Sequence, residues 1–130
     1  MTALLASCHE SLEKRAQREA REYTQKNCPT PWQNSTRTDS VVFDIPTLTY
    51  TYYCSVKDKM DDVALIDAHR RDISDGLLSD VKTNTSLKAY KDAGYSFAYV
   101  LRSSKKPSQV LYKTKITPKD YGMTVGAANN

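Results

Sequence analysis

Apolar and polar residues alternate along several stretches of this chain with the period of a β-strand. The alternation is longest in residues 48–56, where one face carries Leu48, Tyr50, Tyr52, Cys54 and Val56. Residues 39–44, 95–102 and 109–117 repeat the pattern over shorter lengths. A period of two indicates strands that are buried on one side, which is typical of antiparallel sheets. Because short polar links join these strands in pairs, the pattern predicts two hairpins.

Three other stretches follow the period of an α-helix. Residues 9–27 are rich in Glu, Lys, Arg and Ala, and their narrow apolar stripe consists of Leu12, Ala16, Ala20 and Tyr23. Residues 62–82 form a second predicted helix, whose apolar face carries Ile66, Ile73, Leu77 and Val81. A third, shorter helix over residues 86–93 is expected to end at Gly94.

The order of elements is therefore α-ββ-α-ββ, which predicts an α+β fold of two layers. We expect a four-stranded antiparallel sheet, made of two hairpins, with the helices packed on one face. The residues expected in the core are Tyr50, Tyr52, Ile73, Leu77, Val81, Phe97 and Tyr99. In this interpretation residues 9–122 form a single domain, residues 1–8 are the remnant of a lipoprotein signal, and residues 123–130 form a flexible tail.

The composition favours a small domain without a bound cofactor. The chain has 130 residues, of which 39% are hydrophobic, so it can bury one modest core but no large cofactor cavity. The glycines lie far apart, which excludes a glycine-rich phosphate loop. The cysteines lack the CxxC spacing of a zinc site. We therefore expect neither a cofactor nor a metal.

The chain offers few candidates for catalysis, and we expect no enzymatic activity. His69 falls between the apolar and polar faces of its predicted helix and is interpreted as a surface histidine. Asp61 and Asp62 are adjacent acids at the start of that helix, where helix capping explains them. The remaining enzymatic hypothesis is a small hydrolase in which His69 transfers protons.

The first residues indicate export. Leu5-Ala6-Ser7-Cys8 matches the lipobox of bacterial lipoproteins, in which the cysteine thiol carries the lipid. The sequence thus predicts a lipid anchor at Cys8, which attaches the protein to a membrane in the periplasm or at the outer membrane. No basic segment precedes this pattern, so a cytoplasmic location is the alternative. In an oxidising compartment Cys28 and Cys54 can form a disulfide, and the alternative is two buried free thiols.

Positive charge is concentrated towards the C-terminal end of the chain. The net charge is +4, and the basic residues between positions 102 and 120 outnumber the acidic ones by six to one. Lysines on an edge hairpin can serve to deter unwanted strand pairing, or they can bind an anionic partner. The only tryptophan, Trp32, is expected either to plug one end of the core or to contact a ligand. The candidate partner surface therefore consists of Trp32, Arg102, Lys105, Lys106, Lys113 and Lys115.

Four segments carry a resemblance to a known group of proteins. They are residues 37–41 (RTDSV), 48–53 (LTYTYY), 87–94 (LKAYKDAG) and 117–121 (TPKDY). These segments resemble small exported lipoproteins of the Bacteroidales type, a family of unknown function. The resemblance implies an exported protein and supplies no catalytic or binding residues.

Together these observations predict a non-enzymatic extracytoplasmic domain that binds an unknown protein partner or has a structural role. The alternative is a cytosolic module that binds nucleic acid or an acidic partner through the basic hairpin of residues 102–119. The absence of a recognisable RNA-binding motif disfavours nucleic acid as that partner.

Overall fold

The computed structural model describes residues 10–122, which form a helical layer on one face of a four-stranded sheet. The helices are α1 (Leu12–Asn27), α2 (Val63–Ala68), α3 (Arg70–Thr83) and α4 (Lys88–Asp92). The strands are β1 (Thr36–Asp44), β2 (Thr49–Val56), β3 (Ser96–Ser103) and β4 (Val110–Ile116). Short 3₁₀ turns at Asp58–Met60 and Thr85–Leu87 precede α2 and α4. The predicted α+β class and the predicted order of helices and hairpins are confirmed.

The sheet differs from the predicted one at its centre. Its strand order is β1-β2-β3-β4, and the outer pairs β1–β2 and β3–β4 are antiparallel as expected. The central strands β2 and β3 are parallel, so the prediction of a fully antiparallel sheet is wrong at this pair. The reason is the long connection through α2, α3 and α4, which returns the chain to the end where β2 begins. As a result Thr49 lies opposite Ser96, the first residue of β3.

Polar side chains fix where the helices begin. The Ser11 hydroxyl accepts a hydrogen bond from the Lys14 N–H at 3.2 Å, and Asp62 caps α2 by accepting from the Leu65 N–H at 3.2 Å. The second predicted helix is divided at His69, whose φ of −113° and ψ of 19° are not helical. The region is therefore two consecutive helices, α2 and α3, rather than one.

The core lies between the two layers in two adjoining clusters. The larger cluster joins Ala16 and Ala20 of α1 to Phe43 and Phe97 of the sheet. The smaller cluster surrounds Ile66 of α2. The residues predicted for the core all belong to these clusters or pack against them: Tyr50, Tyr52, Ile73, Leu77, Val81, Phe97 and Tyr99. One face of the sheet is thus buried, and no helix of residues 10–122 packs on the other.

Threonine side chains occupy much of the free edge of β1. The Thr24 hydroxyl donates to the Val41 carbonyl at 2.9 Å and accepts from the Val41 N–H at 2.8 Å. Further along the edge, the Thr38 N–H donates to the Thr30 hydroxyl and the Thr38 carbonyl accepts from the Thr30 N–H, both at 2.9 Å. These contacts use backbone groups that would otherwise be available to another strand.

Candidate binding site

A groove opens on the helical side of the molecule, between α1 and the segment that contains α4. Its volume is about 850 Å³, and Val41, Tyr50 and Tyr52 of the sheet line its floor. Tyr23 of α1 lines one wall, and residues 84–90 line the other. We call this space the helical groove. It exists because α1 packs on β1 whereas α2 and α3 pack towards β4, which leaves part of the central sheet uncovered.

Tyrosine rings dominate the floor of the helical groove. Tyr50 stacks on Tyr90 with ring centroids 5.8 Å apart, and Tyr52 stacks on Tyr99 at 4.8 Å. Burial raises the pKa of Tyr50 to about 12, and the charge of Glu19 adds to that effect. Burial likewise raises the pKa of Tyr52. The floor is therefore an uncharged aromatic surface at neutral pH.

The charges on the rim of the helical groove are paired with one another. Arg15 Nε lies 3.5 Å from Glu19 Oε2, and Lys88 Nζ lies 2.8 Å from Asp92 Oδ2. The Tyr90 hydroxyl donates a hydrogen bond to Glu19, which connects α4 to α1. A groove with compensated rim charges and an aromatic floor suits a segment that is apolar on the side facing it.

The opposite face of the sheet, which we call the outer sheet face, is open and basic. Strand pairing places Tyr53 of β2, Val100 of β3 and Lys113 of β4 in one row across this face. Arg102 lies two residues further along β3, and its guanidinium carbon is 5.4 Å from the centroid of the Tyr53 ring. Lys115 is two residues from Lys113 and therefore on the same face. None of these three cations forms an ion pair with another described residue.

Trp32 lies at one end of the outer sheet face. Its ring centroid is 4.5 Å from the Arg37 guanidinium carbon and 4.7 Å from Lys57 Nζ, and we call these three residues the Trp32 cluster. Arg37 Nε also donates to Asp39 Oδ1 at 2.9 Å. Trp32 belongs to neither core cluster, so it contacts cations at the surface and does not plug the core.

Lys105 and Lys106 lie in the loop between β3 and β4, where both are exposed. Their backbone N–H groups donate to Asp61 Oδ2 and Ser103 Oγ, each at 3.0 Å. The loop is thereby held against Asp61, the residue before the N-cap of α2. The other three basic residues of the predicted partner surface lie on the outer sheet face itself.

Cys28 and Cys54 are free thiols in the structure, so the disulfide considered for them is not formed. Cys54 is buried, and its Sγ lies 4.0 Å from the Thr38 hydroxyl. Burial raises the pKa of the Cys54 thiol to about 11 and also raises the pKa of Cys28. Cys8, the predicted lipid-attachment residue, and the predicted tail over residues 123–130 lie outside the described residues.

His69 is an exposed side chain, as predicted from the sequence. Its Nδ1 lies 3.5 Å from Asp72 Oδ2 on the next helical turn. Between residues 10 and 122, no three His, Cys, Asp or Glu side chains are grouped so that they could hold a metal ion. Within the same range, no helix has the length and hydropathy needed to cross a bilayer.

The helical groove was not predicted from the sequence. The apolar pattern assigns Tyr23 to the buried stripe of α1, yet 43% of Tyr23 is exposed and it lines the groove. The apolar stripe of α1 does contain a signal for this groove, because the small side chains of Ala16 and Ala20 bring the helix close to the sheet. Tyr23 lies on the same stripe but is too large for that narrow space, so it lies at the groove instead.

The sequence of the chain matches a known protein family. A model of the family described as Domain of unknown function (DUF8479) matches residues 11–112, and the chain therefore belongs to that family. This span contains the residues that line the helical groove and most of the outer sheet face. No curated protein matches the chain.

Solved structures with the same fold include proteins from Pseudomonas and Vibrio. A Pseudomonas aeruginosa protein inferred to be secreted aligns with a TM-score of 0.72 and 13% identity, over 88% of this chain and 100% of its own. The pilotin EpsS of the Vibrio vulnificus type 2 secretion system gives a TM-score of 0.64 and 12% identity, over 87% and 94%. The type II secretion system pilotin AspS of Vibrio cholerae gives 0.60 and 14%, over 89% and 97%. At these identities the likeness establishes the fold alone.

Proposed function

We propose that this protein is a non-enzymatic accessory protein that works outside the cytoplasm, and that its helical groove holds a segment of a partner protein. The observation that carries the proposal is the open groove of about 850 Å³ with its floor of neutral tyrosines. The compartment is supported by the fold, which the chain shares with a protein inferred to be secreted and with two pilotins of secretion systems.

The chemistry of the helical groove indicates which kind of segment binds there. A groove of this size can bury several side chains of a peptide, and tyrosines offer both apolar ring faces and hydroxyl groups. The charges on the rim are already paired with one another, so a strongly charged segment gains little binding energy from them. The partner segment is therefore expected to be amphipathic, with its apolar side on Tyr50 and Tyr52.

A substitution that fills the helical groove tests this part of the proposal. Ala89 is exposed on the groove wall, and Ala89→Trp adds a large ring there without removing a side-chain hydrogen bond. Ala93 is exposed four residues further along and does not line the groove, so Ala93→Trp is the matched control. We expect tagged protein from the native host to recover at least about tenfold less partner when it carries Ala89→Trp. Equal recovery with both variants would refute binding in the groove.

We propose in addition that a lipid at Cys8 attaches the protein to a membrane. The small residues in Leu5-Ala6-Ser7-Cys8 and the resemblance to exported lipoproteins support it. Cells of the native host that are fed radiolabelled palmitate should label the wild-type protein and not the Cys8→Ala variant. Label that still enters the Cys8→Ala protein would defeat the anchor and leave the groove proposal standing.

A further inference from the structure

The outer sheet face is a separate surface from the helical groove, and its residues are of a different kind. Both core clusters lie on the other side of the sheet, so this face is open within residues 10–122. Arg102, Lys113 and Lys115 lie on it, and the Trp32 cluster adds Lys57 and Arg37 at one end, of which Arg37 is paired with Asp39. These charges are spread over three strands and do not converge on a pocket.

Free acidic groups are nearly absent from this side of the molecule. β2, β3 and β4 contain no Asp or Glu, and the whole stretch from residue 93 to residue 119 has none. The acids of β1 are Asp39, which is ion-paired with Arg37, and Asp44, which accepts hydrogen bonds from Thr47 and keeps its negative charge at the end of the strand. The net charge of +4 is therefore unevenly distributed, and the outer sheet face holds a strongly positive part of it.

Apolar and aromatic side chains lie between these cations. Val42 and Val110 are 49% and 45% exposed, although both belong to strands. Val100 and Tyr53, which lie opposite each other in the sheet, are half-buried. Surfaces that combine exposed apolar and aromatic side chains with Lys and Arg are typical of proteins that lie on anionic membranes.

We infer that the outer sheet face binds the surface of a membrane that contains anionic phospholipids. Cations that are spread over several strands match an array of headgroup phosphates better than they match a single small anion. Each Lys or Arg held near such a surface contributes about fivefold to partitioning, and the valines and Trp32 add apolar contact. The inference depends neither on a lipid at Cys8 nor on the helical groove.

The test uses the full chain without lipid modification and vesicles of phosphatidylcholine with or without phosphatidylglycerol. We expect the protein to sediment with the mixed vesicles, to stay in solution with pure phosphatidylcholine, and to be released by added salt. The double variant Lys113→Glu, Lys115→Glu should reduce the partition coefficient by at least about 25-fold. The matched control is Lys14→Glu, Arg21→Glu on α1, which changes the net charge equally and lies in the helical layer.

The control variant should retain binding within about threefold of wild type, because the Debye length of about 10 Å screens charges on the far side of the sheet. Equal losses in the two double variants would mean that net charge alone controls binding, and would overturn the inference. Equal sedimentation with neutral and anionic vesicles would also overturn it. So would binding to a soluble polyanion such as heparin without binding to vesicles, or a dimer formed through this face.

Discussion

Tyr95 joins the two layers of the molecule through its ring and its backbone. The side chain is 2% exposed, and its ring centroid lies 5.0 Å from that of Phe43. Its carbonyl accepts a hydrogen bond from the Tyr121 hydroxyl at 2.9 Å. Its own hydroxyl is buried and has no hydrogen-bond partner in residues 10–122. The ring therefore stabilises the core, whereas the buried hydroxyl destabilises it.

We expect Tyr95→Phe to raise the free energy of unfolding by about 1 kcal/mol, because it removes a buried polar group without a partner. Tyr121→Phe removes a hydroxyl that is bonded to the Lys91 and Tyr95 carbonyls, and it should lower the free energy of unfolding by about 1 kcal/mol. Urea unfolding followed by circular dichroism measures both. A loss of stability in Tyr95→Phe as large as in Tyr121→Phe would show that this hydroxyl does have a partner.

The buried tyrosines in the groove floor make stability depend on alkaline pH. The pKa of Tyr50 is about 12 in the fold, mainly through burial, whereas an unfolded tyrosine has a pKa of about 10. A raised pKa contributes stability that is complete below the unfolded value and is lost as the pH rises through the folded value. We therefore expect the free energy of unfolding to fall between about pH 10 and pH 12.

Burial also raises the pKa of Tyr52, so Tyr52→Phe should make this alkaline fall smaller. Tyr53→Phe, on the outer sheet face, is the matched control. Urea unfolding over a series of pH values compares the variants with the wild type. The same fall in all three proteins would contradict a role for Tyr52.

At the scale of single elements, the edge strand β1 depends on Thr24. We expect Thr24→Val to lower the free energy of unfolding by about 2 kcal/mol, because both hydrogen bonds to the Val41 backbone are lost. Thr24→Ser keeps the hydroxyl and should stay within about 1 kcal/mol of wild type. The valine variant should also associate at high concentration, since its strand edge is open. Equal stability of the two variants would mean that these hydrogen bonds contribute nothing.

Elements with a strong local pattern could be predicted from the sequence, and their mutual arrangement could not. The alternation in residues 48–56 specifies β2, and the apolar stripe of residues 12–20 specifies α1. The direction of β3 relative to β2 depends on where the helical connection returns the chain, and no residue within either strand encodes it. For that reason the alternation of residues within the strands does not predict the parallel central pair.

The same distinction applies to the two candidate surfaces. Lys113 and Lys115 are two residues apart on a strand, so their position on one face follows from the sequence. The helical groove forms between Tyr23 and Ala89, which are distant in the chain. Its width depends on how α1 and α4 pack on the sheet, and side-chain periodicity does not specify the distance between these two helices.

At the scale of the whole molecule, the two sides of the sheet differ in chemistry. The helical side has a groove with a neutral aromatic floor, and the other side is basic. If both proposals hold, the protein can bind an anionic membrane through one side while the groove on the other side holds an exported partner. Loss of vesicle binding in Lys113→Glu, Lys115→Glu should then leave partner recovery through the groove unchanged.

Photo-crosslinking in living cells tests the central claim most directly. A photoreactive phenylalanine analogue replaces Tyr23, which is 43% exposed and lines the helical groove. The predicted result is one discrete adduct with an exported protein, which Ala89→Trp suppresses and Ala93→Trp does not. The absence of any adduct, or an adduct of undiminished yield in the Ala89→Trp protein, would contradict the claim that the groove holds a partner segment.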